Sequence, residues 1–282
     1  MTVALGATGL EVGPIGLGAG QLGDDRLAEA DAARLLDAAL ELGVTLIDTA
    51  RSYGTSEPRL GRLLAGRRAR VVLSTKVGYD IAGHADWTGP CVAAGIDRAL
   101  GELRTDRIDL VHLHSCPREV LVRGEVIDAL LRARDAGKLR VAAYSGDNDA
   151  LAHAATCGAF GSLQCSLSIC DQWALEHVVA EARAAGLGVI AKRALANAAW
   201  CAPESPYAER WRLLALELEL PPHEAAVRFA AHSTGAHAIL VGTRSPEHVA
   251  AAVEAAARGP LPAATVEAIR TAYRRFGWPG VI

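Results

Sequence analysis

Residues 14–25 read PIGLGAGQLGDD, and inside them residues 18–23, GAGQLG, have the spacing G-x-G-x-x-G. That spacing fits the phosphate-binding turn of an open, doubly wound sheet, and it also fits a glycine-rich strand end. The choice between them decides the fold. A dinucleotide-binding turn needs its glycines between a strand and a helix, with an acidic residue about 20 positions further on for the ribose. The next acidic residue at a strand end is Asp48, about 25 positions past Gly23, and it sits in IDTARSYG, which is no ribose-binding setting. GAGQLG is therefore expected to be backbone at the end of a first barrel strand.

The surrounding pattern supports a barrel. Strand-like runs fall at 13–18, 44–48, 71–76, 110–114, 140–145, 161–166, 188–192 and 238–241. Between them lie segments with apolar residues at i, i+3, i+4 and i+7, such as DAARLLDAALELG and EVIDALLRARDAG. Several close on a glycine suited to a helix C-terminus, namely Gly43, Gly66, Gly137 and Gly186. Eight strand–helix units in 282 residues predict one (β/α)8 TIM barrel spanning residues 1–282. The opening residues suggest a small hairpin before the first barrel strand, and ATVEAIRTAYRRFGW suggests a final amphipathic helix.

Bulk properties narrow the function classes. A net charge of -3 offers no basic surface for nucleic acid or an anionic membrane. No apolar run reaches the length of a membrane span, and the opening MTVALGATGLEVG, with neither a basic leader nor an apolar stretch, is not expected to be a secretory signal. Six cysteines without a C-x-x-C pair suit a reducing, cytoplasmic compartment. Of 29 basic residues only Lys76, Lys138 and Lys192 are lysines. A lysine can be tuned by its surroundings where an arginine cannot, so these three merit inspection.

In a parallel barrel the C-terminal strand ends converge on one mouth, where chemistry sits. The strands here end at Asp48, Lys76, His114, Ser145 and Lys192; Gln164 lies in the sixth, and Gly242-Thr243-Arg244 follows the eighth. Tyr53 stands in the loop after Asp48. These types form a chemical set. Tyrosine has an unperturbed pKa of about 10, too high for proton exchange near neutrality, and a buried ammonium beside a phenol stabilises the phenolate. Asp48 would hold Lys76 charged, and His114 would orient a substrate oxygen. The set suits a carbonyl that receives hydride on carbon and a proton on oxygen.

These motifs resemble those of the aldo-keto reductase superfamily over nearly the whole chain. LIDTARSYGTSEPRLGRLL looks like its second-strand motif, VVLSTKVG its lysine strand and RIDLVHLHS its histidine strand; LRVAAYSG, LQCSLS and AILVGTRSPEHV are similar to its cofactor segments. The resemblance implies Tyr53 as general acid, Asp48 and Lys76 as its tuning pair and His114 as substrate orienter. It also implies NADPH, or NADH, lying across the barrel mouth without a Rossmann loop. Cofactor contacts then fall on Ser145, Gln164, Lys192, Arg193, Gly242, Thr243, Arg244 and His248, with Arg244 placed for a ribose 2′-phosphate.

Three positions depart from the family pattern. Gly146 replaces the asparagine of a Ser-Asn pair, with Asn148 a substitute close by. Lys192 stands where an aromatic often stacks on nicotinamide. Ala251-Ala252 replaces a Glu-Asn pair, and His248 stands where some members carry arginine. Two other functions compete. A metal-dependent hydrolase could use His112 and His114, although the strand ends supply too few further ligands. A non-catalytic, cofactor-binding or redox-sensing subunit would also keep the barrel. The long loops carrying Trp87 and Trp200 are the expected walls of a substrate pocket, and no metal is expected.

Overall fold

A computed structural model describes residues 2–281. A two-stranded antiparallel hairpin, β1 (Val3–Ala4) and β2 (Glu11–Val12), opens the chain. The barrel strands follow as β3 (Ile15–Gly18), β4 (Leu46–Asp48), β5 (Val72–Val77), β6 (Ile108–His114), β7 (Leu139–Ser145), β8 (Ser162–Ser166), β9 (Gly188–Lys192) and β10 (Ala238–Gly242). Neighbours in sequence are neighbours in space, every pairing is parallel, and β10 pairs back onto β3 to close the ring. The expected barrel, hairpin and final helix are all present.

Helices on the outside cover each crossover. The apolar stripe of Glu29–Glu41 buries Leu35, Leu36 and Ala39, and that of Gly89–Glu102 buries Val92, Ile96 and Ala99. Thr88 caps the second of these helices by accepting the Cys91 N–H, and Pro90 sits in its first turn, where a missing N–H costs nothing. Between β8 and β9 the chain forms two short helices, Trp173–His177 and Val179–Ala184, separated where Val178 leaves the helical region. The predicted C-terminal glycines Gly43, Gly66, Gly137 and Gly186 all have positive φ.

Inside the ring the core has two ends. Leu46, Leu110, Ile190 and Leu240 fill the lower part, and Leu5, Leu10 and Val12 of the hairpin region close it from below. With the bottom plugged by apolar side chains, the polar residues of the same strands lie towards the opposite mouth. The last helix, Ala263–Arg274, packs Ile269 and Tyr273 against Tyr207 and Phe229 in a separate cluster. Among the described residues no helix is long and apolar enough to cross a membrane.

GAGQLG requires one correction. Only Gly18 belongs to β3; Ala19–Gly23 form a 3-10 turn. This turn lies beneath the loop that carries Tyr53, and the Thr55 N–H donates to the Gly23 carbonyl at 3.2 Å. An ideal Cβ on Gly20 would touch the Tyr53 ring at 3.8 Å. The first and last glycines of the motif therefore serve different purposes, one in a strand and one at a close backbone crossing.

Candidate active site

Alternate residues of a strand share a face, so Ser74 with Lys76, and Leu110 with His112 and His114, point the same way. Register places Asp48 opposite Ser74 and Lys76 opposite His112. The result is a buried polar floor at the mouth. Lys76 Nζ donates to Asp48 Oδ2 at 2.6 Å and to the Thr49 carbonyl at 2.7 Å. The other carboxylate oxygen, Oδ1, accepts from Ser74 Oγ at 2.7 Å and from Gln164 Nε2 at 2.9 Å. Gln164 is fixed in turn, its Oε1 accepting from Ser145 Oγ at 2.8 Å, and His112 Nε2 lies 3.1 Å from Ser74 Oγ.

Burial alone would push the Asp48 carboxyl up, but the Lys76 ammonium, then His112 and the donors from Lys76 and Ser74, hold it below the ordinary carboxylate range. Burial alone would likewise lower Lys76; the Asp48 charge, then Tyr53, keep it above its ordinary value. The pair is ionised and held by further hydrogen bonds on both partners, which is the condition under which a buried ion pair is tolerated.

Tyr53 lies above this pair, with Lys76 Nζ 4.9 Å from its ring centroid. His114 meets Tyr53 edge-on, centroids 6.2 Å apart at 88°. Burial, and then the nearby Lys76 charge, push the His114 imidazole down to about 3, so it is neutral across the physiological range. Burial likewise pushes His112 down to about 4.

A cavity of about 740 Å³ opens over this floor, within the size range of small-molecule sites. The four residues Asp48, Tyr53, Lys76 and His114 line it together with Ser145, Gln164, Lys192, Arg193, Gly242, Thr243 and His248. Arg244 is not in the wall: it stands half exposed in the loop after β10, in an ion pair with Asp24, which follows the 3-10 turn after β3. Trp200 lines the cavity, whereas Trp87 packs on Gly78 and Tyr79.

Gly146, Asn148 and Lys192 each have close neighbours that bear on the departures from the family pattern. A Cβ on Gly146 would lie 2.3 Å from the Tyr144 hydroxyl, which is buried and donates to the Cys116 carbonyl at 3.0 Å. Asn148 is committed elsewhere, accepting the Val281 N–H at 2.9 Å, and does not line the large cavity. Lys192 is paired with Asp147, whose other oxygen accepts the Ser166 N–H at 2.7 Å. Beyond β9, Arg193, Ala196, Asn197 and Ala198 all hold positive φ, a run of unfavourable conformations at the cavity lip.

Sequence reasoning missed Ser74, Asp24, Asp147 and Tyr79. Ser74 was within reach, since it shares a strand face with Lys76; the other three sit in or beside loops and depend on long-range closure.

The residues present suit a nicotinamide dinucleotide. Ser145 and Gln164 line the cavity floor with polar side chains already joined to one another and to Asp48. Gly242 and Thr243 bring backbone to the wall beside the helix Pro246–Ala257, whose N-terminus is capped by Ser245 accepting the His248 N–H at 3.2 Å. A helix start of this kind favours phosphate. Ala251 and Ala252 line the same wall with small side chains.

Comparison with known proteins identifies the family. Over 152 residues the chain is 34% identical to an L-galactose dehydrogenase of Arabidopsis thaliana, covering 51% of this chain and 47% of that one. It is also 34% identical over 152 residues to a 6-dehydroglucose reductase of Novosphingobium aromaticivorans, covering 50% of each. The chain thus spans about half the length of the curated relatives it matches. The fold superposes on a holo-form aldo-keto reductase of Bacillus halodurans with a TM-score of 0.85 at 26% identity, over 96% of this chain and 95% of that one. Residues 14–274 match the pattern of the Aldo/keto reductase family, and the chain belongs to it.

Proposed function

We propose that this protein interconverts an aldehyde or ketone and the corresponding alcohol, with Tyr53 as the proton donor to the carbonyl oxygen. One observation carries the reading: a buried, charge-balanced Lys76 stands beneath the Tyr53 ring, next to a neutral His114, on the floor of an open cavity. When bound, a nicotinamide dinucleotide supplies the hydride.

The protein's own residues do the rest. Asp48 and the Thr49 carbonyl take two of the three Lys76 protons and leave the third for the tyrosine side. The ammonium stabilises the phenolate that Tyr53 becomes on giving up its proton, and such proton transfer is worth about 10²–10⁴ in rate. His114, uncharged, offers a hydrogen bond to the reacting oxygen without competing as an acid. Ser145 and Gln164 would hold the nicotinamide amide, and Gly242, Thr243 and the following helix start would hold phosphate.

NADPH is the cofactor we favour, because Arg244 in the loop after β10 can exchange Asp24 for a ribose 2′-phosphate. Six cysteines, none of them bridged, suit a cytoplasmic setting. The two sugar-named relatives put sugar carbonyls first among substrates to assay. Fluorescence titration with NADPH and NADH, followed by turnover with a panel of aldehydes, tests the proposal. Saturable binding and carbonyl-dependent oxidation of the cofactor are expected; folded protein that binds neither nucleotide overturns it.

A further inference from the structure

We infer that Tyr79 is a positioning residue that sets the tautomer of His114, so that Nε2 carries the proton offered to the reacting oxygen. The Tyr79 hydroxyl lies 2.9 Å from His114 Nδ1. The two rings are stacked, centroids 5.6 Å apart at 28°. Tyr79 does not line the large cavity, so any influence on the reaction passes through His114.

The direction of this hydrogen bond follows from the chemistry of its two partners. A neutral imidazole carries one N–H donor and one bare nitrogen acceptor. A phenol is the stronger donor of the two groups, and a bare imidazole nitrogen is the stronger acceptor. The proton between them therefore stays on the tyrosine oxygen, and Nδ1 accepts. The ring proton is left on Nε2. An imidazole's free nitrogen is set by what its other nitrogen does. The low proton affinity of His114 agrees with a ring that carries a single proton.

Tyr79 is itself held on several sides. Trp87 packs on it at 5.5 Å, and the Arg51 guanidinium lies over its ring at 5.8 Å. Arg51 is anchored by Asp80 at 2.6 Å. Gly78, at φ +135, leaves the space that Trp87 occupies: an ideal Cβ there would lie 2.2 Å from the indole. A clamped phenol can hold one ring orientation of His114, where a freely rotating one would not.

This inference rests on the carbonyl-reduction reading only for what Nε2–H does. The tautomer itself is testable in the protein alone. Long-range ¹H–¹⁵N spectra of ¹⁵N-histidine-labelled protein read it directly, with His114 assigned from a His114→Gln sample. In the wild type, Nδ1 should show an acceptor-type shift and Nε2 a protonated one. Tyr79→Phe keeps the ring and removes the hydroxyl; its His114 signals should move towards a mixture of tautomers. Its kcat/KM should fall about 10- to 100-fold, by analogy with the loss on removing the outer hydrogen-bond partner of a metal-bound imidazole, with cofactor affinity unchanged. A wild-type His114 protonated at Nδ1 overturns the inference without any variant. So does Tyr79→Phe with unchanged His114 shifts, even if activity falls. Absence of turnover with every carbonyl would remove the reductase reading and leave the tautomer result standing.

Discussion

The carbonyl oxygen of Tyr53 occupies the place where a side chain on Gly23 would begin: an ideal Cβ at Gly23 would lie 1.6 Å from it. The approach is reciprocal, since a Cβ on Gly54, at φ +53, would lie 2.3 Å from the Gly23 carbonyl. The last glycine of GAGQLG is thus what lets the Tyr53 loop settle over Lys76. Gly23→Ala should displace this loop and lower kcat/KM by about 100-fold, the scale expected for a misplacement near 1 Å. Steady-state kinetics beside a thermal melt check this; full activity in Gly23→Ala would show that the crossing does not position Tyr53.

Tyr53→Phe keeps the ring over Lys76 and removes the transferable proton. Its kcat should drop by about 10²–10⁴, while the dissociation constant for the nucleotide stays within a few-fold of wild type. Retention of the wild-type reductase rate would mean that another group is the acid.

Asp48→Asn leaves the Lys76 ammonium buried with no counter-charge. Breaking a buried pair from one side costs about 3–5 kcal/mol, so a large loss of denaturation free energy is expected. Asp48→Asn combined with Lys76→Met removes the orphaned charge and should recover much of that stability without recovering turnover. Chemical denaturation separates the two effects. A single variant as stable as wild type would contradict the closed network around Asp48.

Stability should decline as pH falls from neutrality, and His112 supplies part of the slope. Its folded-state value is depressed to about 4, against about 6.5 when unfolded. Above 6.5 neither state is protonated, and its contribution is constant. Between 6.5 and about 4 the unfolded chain takes up a proton that the folded chain refuses, at about 1.4 kcal/mol per pH unit. Below about 4 both states are charged, and this slope ends. His112→Gln should flatten the dependence in that window. An unchanged slope would show that His112 does not stay neutral in the folded state.

Arg244→Ala should weaken NADPH by about 10- to 100-fold, the worth of a hydrogen bond to a charged group, and leave NADH nearly unchanged. Asp24→Asn removes the carboxylate that competes for Arg244 and should shift the preference further towards NADPH. Equal weakening of both nucleotides by Arg244→Ala would show that it does not read the 2′-phosphate.

Much of the candidate site was readable along the chain because a closed parallel barrel has simple rules. Strand ends meet at one mouth, and side chains alternate with a period of two. Those rules alone bring Asp48, Lys76, His114, Ser145, Gln164 and Lys192 together from six distant segments. The helices were readable for the same kind of reason, their apolar stripes repeating every three to four residues.

Loop residues obey no such period, and their partners are set by closure over long separations. Only the tertiary structure turns Arg244 to Asp24, Lys192 to Asp147, Asn148 to the Val281 N–H, and Tyr79 to His114. GAGQLG shows both regimes in six residues. Its spacing fits two readings, and the strand–helix alternation along the whole chain places it at the first strand end of a barrel. That Gly23 must be glycine follows from the Tyr53 backbone crossing it, and a contact between two chain segments exists only once both have folded.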